Sequence, residues 1–170
     1  MEPSNKISQK KSSKVAILDA GAQYAKVIDR RIRELCVESV ILPLNTSIAD
    51  LSQYGAIIIS GGPESVYSKN APKFDPDLFT LDVPILGICY GLQLMNAVHG
   101  GTVEKKEIRE DGVFQIKIDT KSLLFSGLQK KEQVLLTHGD TIDQEAKDFK
   151  VIAQSGDFIA GIQPHSKPLQ

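Results

Sequence analysis

Short runs of aliphatic and β-branched residues alternate with stretches of helical periodicity through the first hundred positions. Lys14-Val-Ala-Ile-Leu18 has the continuous apolar character of a buried strand, and Asp19-Ala-Gly21 ends it. Tyr24, Val27, Ile28, Ile32 and Leu35 then recur at helical spacing, with Asp29, Arg30, Arg33 and Glu34 on the other face. Those charges fit a solvated face or an interdomain contact. Ser39–Leu42 and Ala56–Ile59 predict the second and third strands, with a short helix over Ser47–Leu51 between them. Pro76–Thr80 suits a helical turn, Pro84–Ile88 a fourth strand, and Leu92–His99 a helix stopped by Gly100-Gly101.

The second half changes character. Thr102–Glu107, Val113–Ile118, Gln133–Thr137, Phe149–Ala153 and Phe158–Gln163 read as successive strands separated by turns. Val113-Phe-Gln-Ile-Lys-Ile118 alternates apolar and polar residues with period two. Strand–helix repeats followed by a strand-rich half predict an α/β fold: a mostly parallel central sheet flanked by helices, with antiparallel additions.

Composition narrows the class without changing that picture. At 170 residues with 41% apolar side chains, the chain is one domain long and can bury a core. Lys and Arg number 20 against 21 Asp and Glu, which gives no global attraction for nucleic acid or an anionic membrane. No apolar run reaches the roughly 20 residues of a spanning helix. Two cysteines make no disulfide framework, and no His/Cys cluster has zinc spacing. The expectation is a soluble, cytoplasmic, reduced domain over 14–170. Residues 1–13, polar and rich in Ser and Lys, are expected to form a disordered tail.

Three segments carry candidate chemistry. Gly87-Ile-Cys-Tyr-Gly91 has the nucleophile-elbow form between a predicted strand and a predicted helix, with sulfur in place of the usual hydroxyl. Glycines two residues either side allow a sharp turn, and a helix N-terminus favours thiolate. Cys89 is thus a candidate nucleophile, although a small buried core cysteine also fits. Cys36 lies in the predicted first helix with no glycine nearby and is expected to be inert. Ser60-Gly-Gly-Pro-Glu-Ser65 follows the third strand. Its backbone N–H groups could cradle a phosphate, could serve an oxyanion hole, or could simply turn the chain. Leu136-Thr-His-Gly-Asp140 ends an apolar strand. There His138 could be a base, a metal ligand or structural, and Asp140 could clamp a ligand ammonium group.

Read together, these segments resemble the glutamine amidotransferase domain of the GMP synthases, within the class I (triad) amidotransferases. The matching stretches are Ile17-Leu-Asp-Ala-Gly-Ala-Gln-Tyr24, Ile58-Ile-Ser-Gly-Gly-Pro-Glu-Ser-Val66, Leu86-Gly-Ile-Cys-Tyr-Gly-Leu-Gln93, Arg109-Glu-Asp-Gly-Val-Phe114 and Thr137-His-Gly-Asp140. The resemblance implies a flavodoxin-like fold and hydrolysis of the side-chain amide of L-glutamine. Ammonia then passes to a separate ATP pyrophosphatase domain that converts XMP to GMP. By the same resemblance Cys89 is the nucleophile, and the amides of Gly62 and Tyr90 form the oxyanion hole. Gln93, Thr137 and Asp140 hold the amino-acid end of glutamine. No metal or cofactor is implied in this domain; ATP and Mg belong to the synthase domain, which lies outside these residues.

One departure stands beside the agreement. The family completes a Cys-His-Glu triad from a His-Pro-Glu strand, and no His-x-Glu occurs in these 170 residues, which end at Lys167-Pro-Leu-Gln170. The expectation is therefore a domain lacking its C-terminal strand: the glutaminase part of a GMP synthase whose activity belongs to the complete protein, or a truncated, non-catalytic glutamine-binding or interaction module.

Overall fold

A computed structural model describes residues 12–165, with the backbone alone at 106–111 and 137–138. The predicted tail lies outside the described residues except for Ser12 and Ser13, as do positions 166–170. Ser12 donates its N–H to the Gln53 carbonyl at 3.3 Å.

The first half is a parallel sheet. β1 (Val15–Asp19), β2 (Ser39–Pro43), β3 (Ala56–Ile59) and β4 (Ile85–Gly87) lie in the order β2-β1-β3-β4. Val15 pairs with Ser39 on one side and Ala56 on the other, and Ile57 pairs with Ile85. Ala16, Ile17, Leu18, Ile57 and Ile59 are all buried, which is why β1 and β3 read as unbroken apolar runs. Leu51 of α2 (Ile48–Leu51) and Leu78 of the 3-10 turn Pro76–Thr80 complete this core, with Leu44 and Leu94.

Helix α1 (Ala25–Glu34) departs from its predicted face. Only Ala25 is fully buried, Ile28 and Ile32 are half-buried, and Tyr24, Val27 and Leu35 are exposed. The helix lies on the sheet through the narrow stripe Ala25–Ile28–Ile32, so its flanking apolar residues stay outside. A polar tie reinforces that stripe. The buried Ser39 hydroxyl donates to Asp29 at 2.6 Å, and Arg33 bonds both Asp29 and the Ser39 carbonyl. The Ser39 hydrogen bond, with Arg33, holds the Asp29 carboxyl below its ordinary pKa.

The antiparallel strands form their own sheet. β5 (Thr102–Ile118), β6 (Lys131–Gln144), β7 (Phe149–Ser155) and β8 (Phe158–Pro164) close in the order β5-β6-β8-β7. The two segments expected on either side of Glu107–Val113 are one long strand, β5. Its ladder with β6 slips between Lys105 and Glu110, where four β5 residues face Gly139 alone. The strand expected to end at Thr137 likewise runs on to Gln144. Val103, Ile142, Ala146, Phe149 and Ile162 form the second core, and Met95 of α3 (Tyr90–Val98) belongs to it. Tyr90 and Leu94 of the same helix belong to the first. Helix α3 therefore joins the two cores. Among the described residues no helix is long and apolar enough to cross a membrane.

Candidate active site

Strand β4 ends at Gly87 and α3 begins at Tyr90, so Ile88 and Cys89 alone make the turn between them. Cys89 caps the helix at φ 52° and ψ −108°, a region a residue with a β-carbon rarely adopts. Backbone hydrogen bonds hold it there. Ile88 donates to the Ile59 carbonyl at 2.9 Å, Gly91 to Ile88 at 3.0 Å, and Gln93 to Cys89 at 3.0 Å. The flanking glycines are needed for space. A Cβ on Gly87 would stand 2.5 Å from the Gly91 carbonyl, and one on Gly91 would overlap the Ile59 carbonyl oxygen.

The loop after β3 presses against this elbow. Ser60 is fully buried; its hydroxyl accepts from the Ala20 N–H at 3.0 Å and donates to the Gly61 carbonyl at 2.9 Å. A Cβ on Gly61 would lie 3.4 Å from the Cys89 Cβ and 3.8 Å from its sulfur. One on Gly62 would lie 2.5 Å from the Ala20 carbonyl oxygen. The Gly-Gly backbone thus lies between the end of β1 and the nucleophile candidate: a Cβ at Gly62 would clash with the Ala20 carbonyl, while one at Gly61 would make ordinary van der Waals contact with Cys89.

Cys89 keeps one side open to solvent, but the loops crowd its thiol, and burial pushes its pKa up. The Tyr90 N–H opposes that shift, and the Asp140 carboxylate adds to it. The expected gain in thiolate from the helix N-terminus is thus outweighed by desolvation. The Asp140 charge therefore acts on the thiol. Asp140, expected past the strand end at Thr137, sits inside β6, opposite Lys105 and beside the ladder slip.

Gln93 is buried, and its Nε2 donates to the Asp140 carbonyl at 2.9 Å. The structure thus brings Cys89, the Tyr90 amide, the Gly61–Gly62 backbone, Gln93 and Asp140 together. Thr137 pairs with Asp111 in the ladder, and its side chain, like that of His138, lies outside the described residues. Cys36 is not within α1 as expected. It follows the helix end at φ 59°, exposed, away from the strand ends that carry the site. His99 sits at the far end of α3, with Nδ1 2.8 Å from the Met95 carbonyl oxygen and its ring edge-on to Phe79 and Phe149. The exposed His165 donates its N–H to the Asp148 carbonyl at 2.8 Å. Among the described residues no three His, Cys, Asp or Glu side chains gather as metal ligands would.

Sequence reading passed over one buried group here. Asn96 is fully buried in α3, three residues after Gln93, and a carboxamide on the apolar face of a helix was the available signal. What the site offers chemically is a soft nucleophile on a strained turn, backbone donors beside it, and a carboxylate whose charge acts on it. That set suits acyl transfer from an amide bearing an ammonium group.

The pattern of the family Glutamine amidotransferase class-I matches residues 16–170. The chain belongs to the class-I glutamine amidotransferases. Within that family it is 52% identical to a GMP synthase (glutamine-hydrolysing) of Dictyostelium discoideum, over 89% of this chain and 24% of that protein. A provisionally named GMP synthase of Caenorhabditis elegans is 53% identical over 98% of this chain and 23% of its own length. The chain therefore spans about a quarter of these relatives and corresponds to their amidotransferase portion. A protein of Thermoplasma acidophilum, provisionally assigned as one subunit of a GMP synthase, has a crystal structure that superposes with a TM-score of 0.79. The two are 25% identical over 91% of this chain and 79% of that one.

Proposed function

We propose that this amidotransferase domain, acting as part of a complete GMP synthase, hydrolyses the side-chain amide of glutamine through a Cys89 thioester, and that the ammonia serves conversion of XMP to GMP in purine nucleotide biosynthesis. The observation that carries the reading is the strained Cys89 elbow packed against the Gly61–Gly62 backbone. The Cys89 sulfur, once its proton is removed, attacks the amide carbon. The amides of Gly62 and Tyr90 receive the oxyanion that develops. Collapse of the tetrahedral intermediate breaks the C–N bond, the nitrogen takes up a proton and leaves as ammonia, and water then releases glutamate from the thioester. Asp140 accepts hydrogen bonds from the glutamine ammonium, Gln93 steadies the strand that bears Asp140, and Thr137 completes the hold.

The chemistry assigned to this domain needs a thiol, backbone donors and a proton acceptor. ATP and Mg serve the synthase portion to which ammonia is delivered. The names of the GMP synthase relatives support that assignment, and a cytoplasmic location suits it. Labelling with diazo-oxo-norleucine followed by peptide mapping tests the reading. Cys89 is expected to react before Cys36, and Asp140→Asn to raise the saturation constant by the roughly 1.5–3 kcal/mol of a hydrogen bond to a charged group. First labelling at Cys36 would remove the Cys89 assignment.

A further inference from the structure

Two carboxamides on the buried face of α3 tie the elbow helix to the antiparallel sheet. Gln93 is the nearer, bonded to the Asp140 carbonyl at 2.9 Å. Asn96, one turn on, uses both ends of its amide. Its Nδ2 donates to the carbonyls of Thr102 at 3.1 Å and Gln144 at 3.0 Å, and its Oδ1 accepts from the Ala146 N–H at 2.9 Å. Thr102 opens β5, Gln144 closes β6, and the two are partners in the ladder. One side chain thus fastens the end of the β5–β6 pair to the helix that starts at Cys89. The surrounding chain is shaped to the amide: a Cβ on Gly101 would overlap its outer atoms.

A fully buried amide is a demanding way to join two layers, since every bond it leaves unmade costs about 1–3 kcal/mol. What it adds over a leucine is direction. Met95, Val103 and Ile142 already bring helix and sheet into contact, but apolar contacts are non-directional and tolerate sliding. Hydrogen bonds restrain both distance and angle. Gln144 lies four residues from Asp140 along β6, roughly 13 Å of stiff strand. Gln93 restrains one end of that span and Asn96 the other. Two fixed points on one helix and one strand set the line of β6 across the elbow, and with it the place of the Asp140 carboxylate.

We infer that Asn96 is a positioning residue for the glutamine site, setting where Asp140 stands against Cys89 through the shared end of β5 and β6. The inference rests on the reading of Asp140 as the glutamine anchor, so its test has one arm that does not depend on glutamine.

On the intact protein, the pH dependence of Cys89 alkylation by iodoacetamide senses the Asp140 charge directly. The saturation constant for inactivation by diazo-oxo-norleucine senses the anchor. Asn96→Ala is expected to move the alkylation midpoint down and to raise the saturation constant on the order of tenfold, which is about 1.4 kcal/mol. In an Asp140→Asn background the same change should alter neither, because the effect runs through Asp140. Equal effects in both backgrounds would overturn the inference, as would a lowered melting temperature with both readouts unmoved. Should Asn96→Ala not fold, the cycle is run with Asn96→Asp, which keeps the shape and the acceptor for Ala146. If Asp140→Asn alone leaves the saturation constant unchanged, the anchor reading fails while the alkylation arm still decides the role of Asn96.

Discussion

Cys89 combines a left-handed backbone with a thiol held protonated beyond its ordinary range, and these have separate causes. The backbone costs about 1–3 kcal/mol, held by the hydrogen bonds of the elbow, and aims the sulfur at the Gly-Gly loop. The raised pKa comes from burial first and then from Asp140, so at neutral pH less thiolate is present than in a free cysteine. Alkylation of Cys89 by a neutral reagent should therefore climb with pH to a midpoint above that of an ordinary thiol, and Asp140→Asn should bring the midpoint down. A stopped-flow profile with a midpoint below the ordinary value would mean that the Tyr90 N–H dominates. Cys36 has the same sign of φ without any such purpose. Its N–H donates to the Arg33 carbonyl and the Val37 N–H to Ile32, the two bonds of a Schellman end that normally calls for glycine. Cys36→Gly should stabilise the fold by about 1 kcal/mol, read as a melting-point rise of roughly 2–4 °C. At this scale the elbow was legible because its glycines lie two residues from the cysteine. The work of Gln93 and Asn96 was not, since their partners lie 47, 48 and 50 residues away apart from Thr102.

Elements were legible where their partners bury both faces or where period and caps agree. The parallel strands announced themselves as apolar runs, and Gly100-Gly101 marked the stop of α3. The long strands were harder. Lys106-Glu-Ile-Arg-Glu-Asp-Gly112 has neither strand alternation nor helical period, and its ladder with β6 is interrupted after Lys105 and resumes at Glu110. Asp140 was placed beyond the end of its strand because Gly139 and Asp140 look like a turn until Lys105 is seen opposite. The β4–α3 junction makes the sharpest demand on sequence. Gly91→Ala would drive a methyl into the carbonyl and side chain of Ile59, neither of which can leave the buried sheet. Overpacking of this kind costs roughly 1–3 kcal/mol. Urea unfolding should show that loss, with faster unfolding and Cys89 labelling slowed in the residual native protein. An unchanged midpoint would mean the elbow can shift away from β3.

At the scale of the molecule, the fold class and the family were legible because the chemical segments keep their order along a regular strand–helix series. The closing of the antiparallel strands on themselves was not, since β6–β8 pairing rests on Ile142 and Ile159 alone. His99 stands at the other end of a nine-residue helix from Cys89, on the order of 15 Å away, and no His-x-Glu is present in the 170 residues. The chain by itself should release ammonia from glutamine at close to the uncatalysed rate, measured by a coupled ammonia assay. Turnover at a rate typical of enzymes would show that a residue in this chain supplies the base. Helix α3, shared between the two cores, has a further consequence for a chain emerging from the ribosome. The parallel strands leave first, yet the helix that shapes the thiol has half its partners in strands still to be made. A nascent or half-assembled chain therefore carries Cys89 as an ordinary cysteine, and the elbow-held, crowded thiol arrives only when the last strands dock.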